Sequence, residues 1–158
     1  MYTSVLQQHC ARFEETLPRF MPTTGGLQTT VAEAMAYACA GGGKRIRPVL
    51  VMECCRLCGG DPTAAIPFAA AMEMIHTHSL IHDDLPALDN DDYRRGRLTT
   101  HKVYGEAMGI LSGVALLNYA YETMLQAFAM AETLQQKEAV IDALQVMAEK
   151  TGIHGMLG

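Results

Sequence analysis

Residues 82–96 read His82-Asp83-Asp84-Leu85-Pro86-Ala87-Leu88-Asp89-Asn90-Asp91-Asp92-Tyr93-Arg94-Arg95-Gly96. Five Asp fall within ten positions, and two Arg follow directly. Carboxylates this crowded repel one another unless a cation sits among them. The first pair also closes an apolar helical stretch, at the end where the helix dipole favours cations. A bound divalent cation removes both conflicts. Oxygen-only donors select Mg²⁺ over Zn²⁺, and Mg²⁺ takes one or two carboxylates together with substrate phosphate. Arg94 and Arg95 add positive charge for that phosphate. The bland alternative is a solvated acidic loop balanced by its own Arg. A calcium EF-hand does not fit: counted from Asp89, the fifth position is Tyr93 and the required glycine is Arg94.

A second cluster is Gly41-Gly42-Gly43-Lys44-Arg45-Ile46-Arg47-Pro48. Glycines allow close backbone approach, and the cations give phosphate affinity. It is not a P-loop, because Ala38 stands where the first glycine belongs and Arg45 replaces the Ser/Thr. On its own it also reads as a helix end with a basic turn. A third cluster is His76-Thr77-His78-Ser79-Leu80-Ile81-His82. His78 and His82 share a helix face, a spacing that suits a zinc pair, but no third ligand accompanies them. His76 points elsewhere and suits a donor to a diphosphate. Cys55 and Cys58 have half the spacing of a zinc or redox site with no second pair, so they read as buried core thiols.

These clusters need elements to hold them. Leu6, Cys10, Phe13, Leu17 and Phe20 repeat at helical spacing and stop near Pro22 and Gly25-Gly26. A second helix is expected from Leu27 to Ala38, ended by the glycines, and a third from Pro48 to Leu57. Asp61-Pro62 has the form of an N-cap with Pro at the first helical position, opening a long helix to Ile81. Residues 84–101 carry no apolar period and read as a loop, which at this length is usually functional or disordered. Val103 to Phe128 and Val140 to Met147 mark two further helices. No strand is evident. With 49% hydrophobic residues, 6% aromatic and no Trp, rich in Ala, Met and Leu, the fold class is all-α within one domain.

The formal charge of −5 argues against a nucleic-acid surface. Two compact basic clusters in an acidic chain favour a small anionic ligand. No leader opens the chain, no stretch reaches membrane-span length, and five Cys without a framework suit a reduced cytoplasmic setting.

Taken together and in order, Gly43-Lys44-Arg45-Ile46-Arg47-Pro48, His76-x-x-Ser79-Leu80-Ile81-His82-Asp83-Asp84, Asp89, Arg94-Arg95-Gly96 and His101-Lys102-Val103-Tyr104-Gly105-Glu106 closely resemble the trans-type prenyl diphosphate synthases. Farnesyl and geranylgeranyl diphosphate synthases belong to that family. The resemblance runs from about residue 27 to the C-terminus. It implies an antiparallel helical bundle around a deep apolar cavity, with two Asp-rich motifs holding Mg²⁺ across its mouth. It implies that Asp83, Asp84 and Asp89 are catalytic metal ligands. It makes Arg94 the contact for the allylic diphosphate, and Lys44, Arg47, His76 and Arg95 the isopentenyl diphosphate site. The activity implied is condensation of those two substrates to a short-chain product, C15 in preference to C20. Product length in this family depends on the residues just before the first Asp motif, here His78 and Ser79. Family enzymes are usually homodimers.

Two departures stand out. The family pattern Gly-Asp-Ala-Leu appears as Gly113-Val114-Ala115-Leu116, and residues 151–158 resemble the start of a Gly-Met-x-Gly-Gly-Gln segment. The second Asp-rich motif is not in this sequence. Residues 1–158 are therefore expected to form the N-terminal part of one such domain and to be inactive alone. The alternative from another functional class is a non-catalytic helical subunit that tunes an intact synthase. Retention of Asp83, Asp84, Asp89, Arg94 and Arg95 favours the enzyme.

Overall fold

The computed structural model describes residues 2–158, with side chains from Leu6 onward. The described chain is helical almost throughout: α1 (Tyr2–Thr16), α2 (Thr29–Cys39), α3 (Ile46–Leu57), α4 (Pro62–Asp83), α5 (Thr100–Tyr104), α6 (Glu106–Met130) and α7 (Leu134–Thr151). A 3-10 turn over Leu17–Phe20, with Pro18 in its first positions, follows α1. The all-α expectation holds with one correction. Residues 84–101 are not strand-free, because Tyr93–Arg94 (β1) and Arg97–Leu98 (β2) pair as a minimal antiparallel hairpin.

Local chemistry accounts for the boundaries. The Asp61 carboxylate accepts from the Thr63 N–H at 2.9 Å, and Pro62 occupies the first turn of α4, where its missing N–H costs nothing. At α7, Thr133 and Gln136 form a reciprocal capping box, which starts the helix six residues before the Val140 that marks it in the sequence. The expected single helix over 103–128 is two. Gly105, at φ 86°, separates α5 from α6 and turns the chain sharply between them.

The core lies between α4 and α6. Met74 meets Thr123, His78 meets Gly113 and His82 meets Ile110, so the two helices run antiparallel. Ala69, Ala70, Ala71 and Met74 of α4 and Leu116, Ala120 and Met124 of α6 are completely buried. Phe13 and Leu17 bring the first helical segment onto this core, and Met35 and Cys39 bring α2. The antiparallel pairing places the end of α4 and the start of α6 together at one end of the bundle, where Asp83 and Asp84 emerge. At the other end, Phe68, Ala127, Met130, Val140 and Met147 line an apolar groove of about 620 Å³.

The cysteines are corrected. Cys39 is a buried core thiol, its pKa pushed up to about 12 chiefly by burial. Cys55 is half-buried and Cys54 and Cys58 are exposed, because the last turn of α3 faces outward. No described helix is long and apolar enough to cross a membrane.

Candidate active site

The Asp-rich segment is ordered by its own backbone. The Asp89 N–H donates to the Asp83 carbonyl at 2.8 Å, and the Asn90 N–H to the Leu85 carbonyl at 3.1 Å. Asn90, at φ 53°, turns the chain back towards the hairpin. Thr99 then closes it: its Oγ1 donates to the Asp91 carbonyl at 2.8 Å and its N–H to the Asp92 carbonyl at 3.0 Å.

The five carboxylates separate into two groups. Asp84 is buried and takes Arg94 side-on, with Nε at 2.8 Å and Nη2 at 2.6 Å from Oδ1. This contact raises the Arg94 pKa above its ordinary value. Asp92 pairs with Lys102 at 2.8 Å, and Asp91 lies 3.8 Å from Arg94. Among the described residues, Asp83 and Asp89 have no side-chain partner, and both are exposed. The expected set of Asp83, Asp84 and Asp89 is thus not assembled as one cage, and no three His, Cys, Asp or Glu side chains of the described residues converge on a point. The reason is Arg94, which occupies the Asp84 carboxylate. Two open, unengaged carboxylates joined through a backbone hydrogen bond still fit Mg²⁺, a hard cation that takes few protein oxygens and leaves room for water and phosphate.

The cationic residues form a second centre. Lys44, Arg47, His76 and Arg95 line one cavity of about 390 Å³, with Arg45 and Glu73 in its wall. They come from the turn before α3, from α3 itself, from α4 and from the β1–β2 loop. Burial first, and then the neighbouring Arg47, holds the His76 pKa below its ordinary value, so its neutral form is favoured. Arg95 adopts φ 53° and donates through Nη1 to the Gly42 carbonyl, tying the glycine turn to the hairpin. Gly43 has φ 154° beside that guanidinium, and a Cβ there would collide with it. Arg95 also borders a smaller cavity, about 50 Å³, that contains Asp84 and Arg94. Arg95 thus joins the cationic cavity to the one lined by Asp84 and Arg94.

Arg45 is not part of the anion-facing set. Its side chain is 1% exposed and inserted between Glu14, 2.6 Å from Nε, and Glu73, 2.6 Å from Nη1. His78 and His82 are not a metal pair either. Their rings stack edge-to-face at 4.6 Å, and each holds an α6 carbonyl: Gly113 at 2.9 Å and Ile110 at 3.2 Å. Ser79 bonds back to the His76 carbonyl at 2.8 Å.

Some positioning residues have no signature in the sequence. The Tyr37 hydroxyl donates to the Leu98 carbonyl at 2.8 Å, and the Arg97 guanidinium stacks 4.3 Å above the Tyr37 ring. Together they dock the hairpin, and so Arg94 and Arg95, on α2. A lone Tyr in an Ala-rich helix carries no pattern that would announce this.

The family model described as polyprenyl synthetase matches residues 28–154. This chain belongs to the polyprenyl synthetase family. A farnesyl diphosphate synthase of Geobacillus stearothermophilus is 51% identical over 113 residues, covering 72% of this chain and 38% of the relative. A geranylgeranyl diphosphate synthase of Cyanophora paradoxa is 53% identical over 109 residues, covering 69% and 36%. Among solved structures, an FPP/GFPP synthase from Zymomonas mobilis superimposes with a TM-score of 0.89 at 36% identity, covering 99% of this chain and 55% of that one. The polyprenyl synthetase chain therefore spans well under half the length of these two curated relatives. The clusters at residues 41–48, 76–84 and 89–96 all lie inside the matched region.

Proposed function

We propose that the protein works as the first half of a prenyl diphosphate synthase site, condensing an allylic diphosphate with isopentenyl diphosphate to a C15 or C20 product. One observation carries this reading. Two cation-bearing cavities share Arg95: that of Lys44, Arg47 and His76, and that of Arg94 and Asp84, the latter in the same Asp-rich segment as Asp83 and Asp89. One diphosphate substrate would need only one of them.

In this reading Asp83 and Asp89 hold Mg²⁺, which when bound offsets the charge that develops on a departing diphosphate. Arg94, already aligned by Asp84, offers its remaining N–H groups to the allylic diphosphate. Lys44, Arg47 and Arg95 bind the diphosphate of the isopentenyl substrate, and the neutral His76 donates a hydrogen bond to it. The reading gives turnover to the complete two-motif site, and to residues 1–158 the binding steps alone.

In this reading the partner is a second copy of the chain. Ile110, Leu111, Val114, Leu125 and Phe128 leave an exposed apolar face along α6, of the kind that protein contacts cover. The free thiols support a reducing cytoplasmic setting.

Calorimetric titration tests the reading. The chain should bind isopentenyl diphosphate without metal and lose it in Lys44→Ala or Arg47→Ala. Geranyl diphosphate should bind only with Mg²⁺, and not in Asp83→Asn. Binding of neither ligand, or loss of both on one substitution at Lys44, would sink the two-centre reading.

A further inference from the structure

The cavity of Lys44 and Arg47 is fixed from outside the family-matched region. Arg45 lies between them in sequence, and its side chain runs into the protein rather than into the cavity. It has three partners on three helices: Glu14 on α1, Glu73 on α4 and the Cys39 carbonyl at the end of α2, the last at 2.8 Å from Nη2. Glu14 takes both Nε at 2.6 Å and Nη2 at 3.3 Å. Burial of the guanidinium would lower its pKa, but the hydrogen bonds it donates to Glu14 and Glu73 outweigh it and hold the charge in place. Arg45 also has φ 47°, a left-handed conformation that a non-glycine residue keeps only when its surroundings hold it there. That conformation sends the chain from Lys44 into α3, where Arg47 is in the first turn. A second contact from α1 reaches the same place: the Cys10 thiol donates to the Lys44 carbonyl at 3.1 Å.

We infer that Glu14 is a positioning residue of the diphosphate cavity, acting from α1 through Arg45 to hold Lys44 and Arg47 in register. The inference rests on the reading of that cavity as a diphosphate site. Without Glu14, Arg45 keeps one carboxylate and no longer has both edges of its guanidinium held. The left-handed turn then relaxes, and the cations on either side lose their common orientation. Glu14 is 44% exposed on its side chain, so its replacement leaves no buried hole.

The structure contains its own control. His9, also on α1, contacts Glu53 of α3 at 2.9 Å, away from the cavity. Removing it loosens α1 without touching Arg45. The test is titration of the whole chain with inorganic diphosphate. Glu14→Gln should weaken binding about tenfold, Glu14→Asp should recover most of it, and His9→Ala should bind like the parent. In the double variant Glu14→Gln/Lys44→Ala the losses should be less than additive, because both act on one contact. If Lys44→Ala abolishes binding while Glu14→Gln leaves it unchanged, or if His9→Ala weakens it as much as Glu14→Gln, the positioning role is wrong. If Lys44→Ala itself has no effect, the cavity is not a diphosphate site, and the reading beneath the inference fails instead.

Discussion

Arg94 lies across the buried carboxylate of Asp84, with Nε within 3.0 Å of both oxygens. A side-on guanidinium is therefore already oriented by the protein before any substrate arrives. Arg94→Lys should fold but lose this planar alignment, weakening geranyl diphosphate binding in Mg²⁺ about tenfold. Arg94→Ala should in addition destabilise the chain by about 3 kcal/mol in urea unfolding, because it leaves Asp84 buried without its cation. Equal stability of the two variants would mean that the pair contributes only at the surface.

Gly113 packs directly under the His82 ring, and a Cβ there would fall on Nε2. Gly113→Ala should cost about 2 kcal/mol and displace His82, and with it the adjoining Asp83. Mg²⁺ affinity should fall together with stability. A variant as stable as the parent would show that the α4–α6 contact yields there.

Met74 is completely buried between α4 and α6, with its sulfur 3.7 Å from the Thr123 hydroxyl. Met74→Ala should cost about 3 kcal/mol by chemical denaturation. Thr133→Ala removes the capping box of α7 and should cost about 1 kcal/mol, with helix loss confined to α7. A reversed order of the two would contradict the placement of the core.

His76 and His78 both have pKa values held below the ordinary histidine value. For His76 the cause is burial and then Arg47; for His78 it is burial and then His82. In the unfolded chain each binds its proton as pH falls through about 6.5, before the native form does. Stability should therefore be full above about pH 7 and decline as pH falls below about 6.5. Replacing both with Asn should flatten that part of the profile. A profile that rises on acidification would refute the neutral assignment.

Much of this was legible in the sequence. Helical period and the Asp61-Pro62 start located α4, and through it the point where the carboxylates emerge. The grouping of Lys44, Arg47, His76 and Arg95 came from the family resemblance and not from helical period, and the four line one cavity. The hairpin was not legible, because two-residue strands carry no alternation. Its only trace is Arg95-Gly96, a two-residue loop with both φ angles positive, between Tyr93-Arg94 and Arg97-Leu98. The division of labour among like residues was hidden as well. Lys44, Arg45 and Arg47 look equivalent as a basic run; the resemblance leaves Arg45 out of the site, but the physical reason, Glu14 and Glu73 arriving from distant positions, is visible only in the structure. Asp84 is separated from Asp83 and Asp89 in the same way, by Arg94.

The alanines of the α4–α6 contact leave the bundle without slack. Ala69, Ala70, Ala71 and Ala120 have no accessible surface, so each is closely surrounded by packed neighbours. Every added methyl group there acts as a spacer, and the resulting tilt is carried along a helix that ends at the carboxylates. A mutational library aimed at the cavity of Lys44 and Arg47 should therefore leave this layer fixed. It should instead vary exposed side chains around that cavity, where a change in size is absorbed by open space and not transmitted.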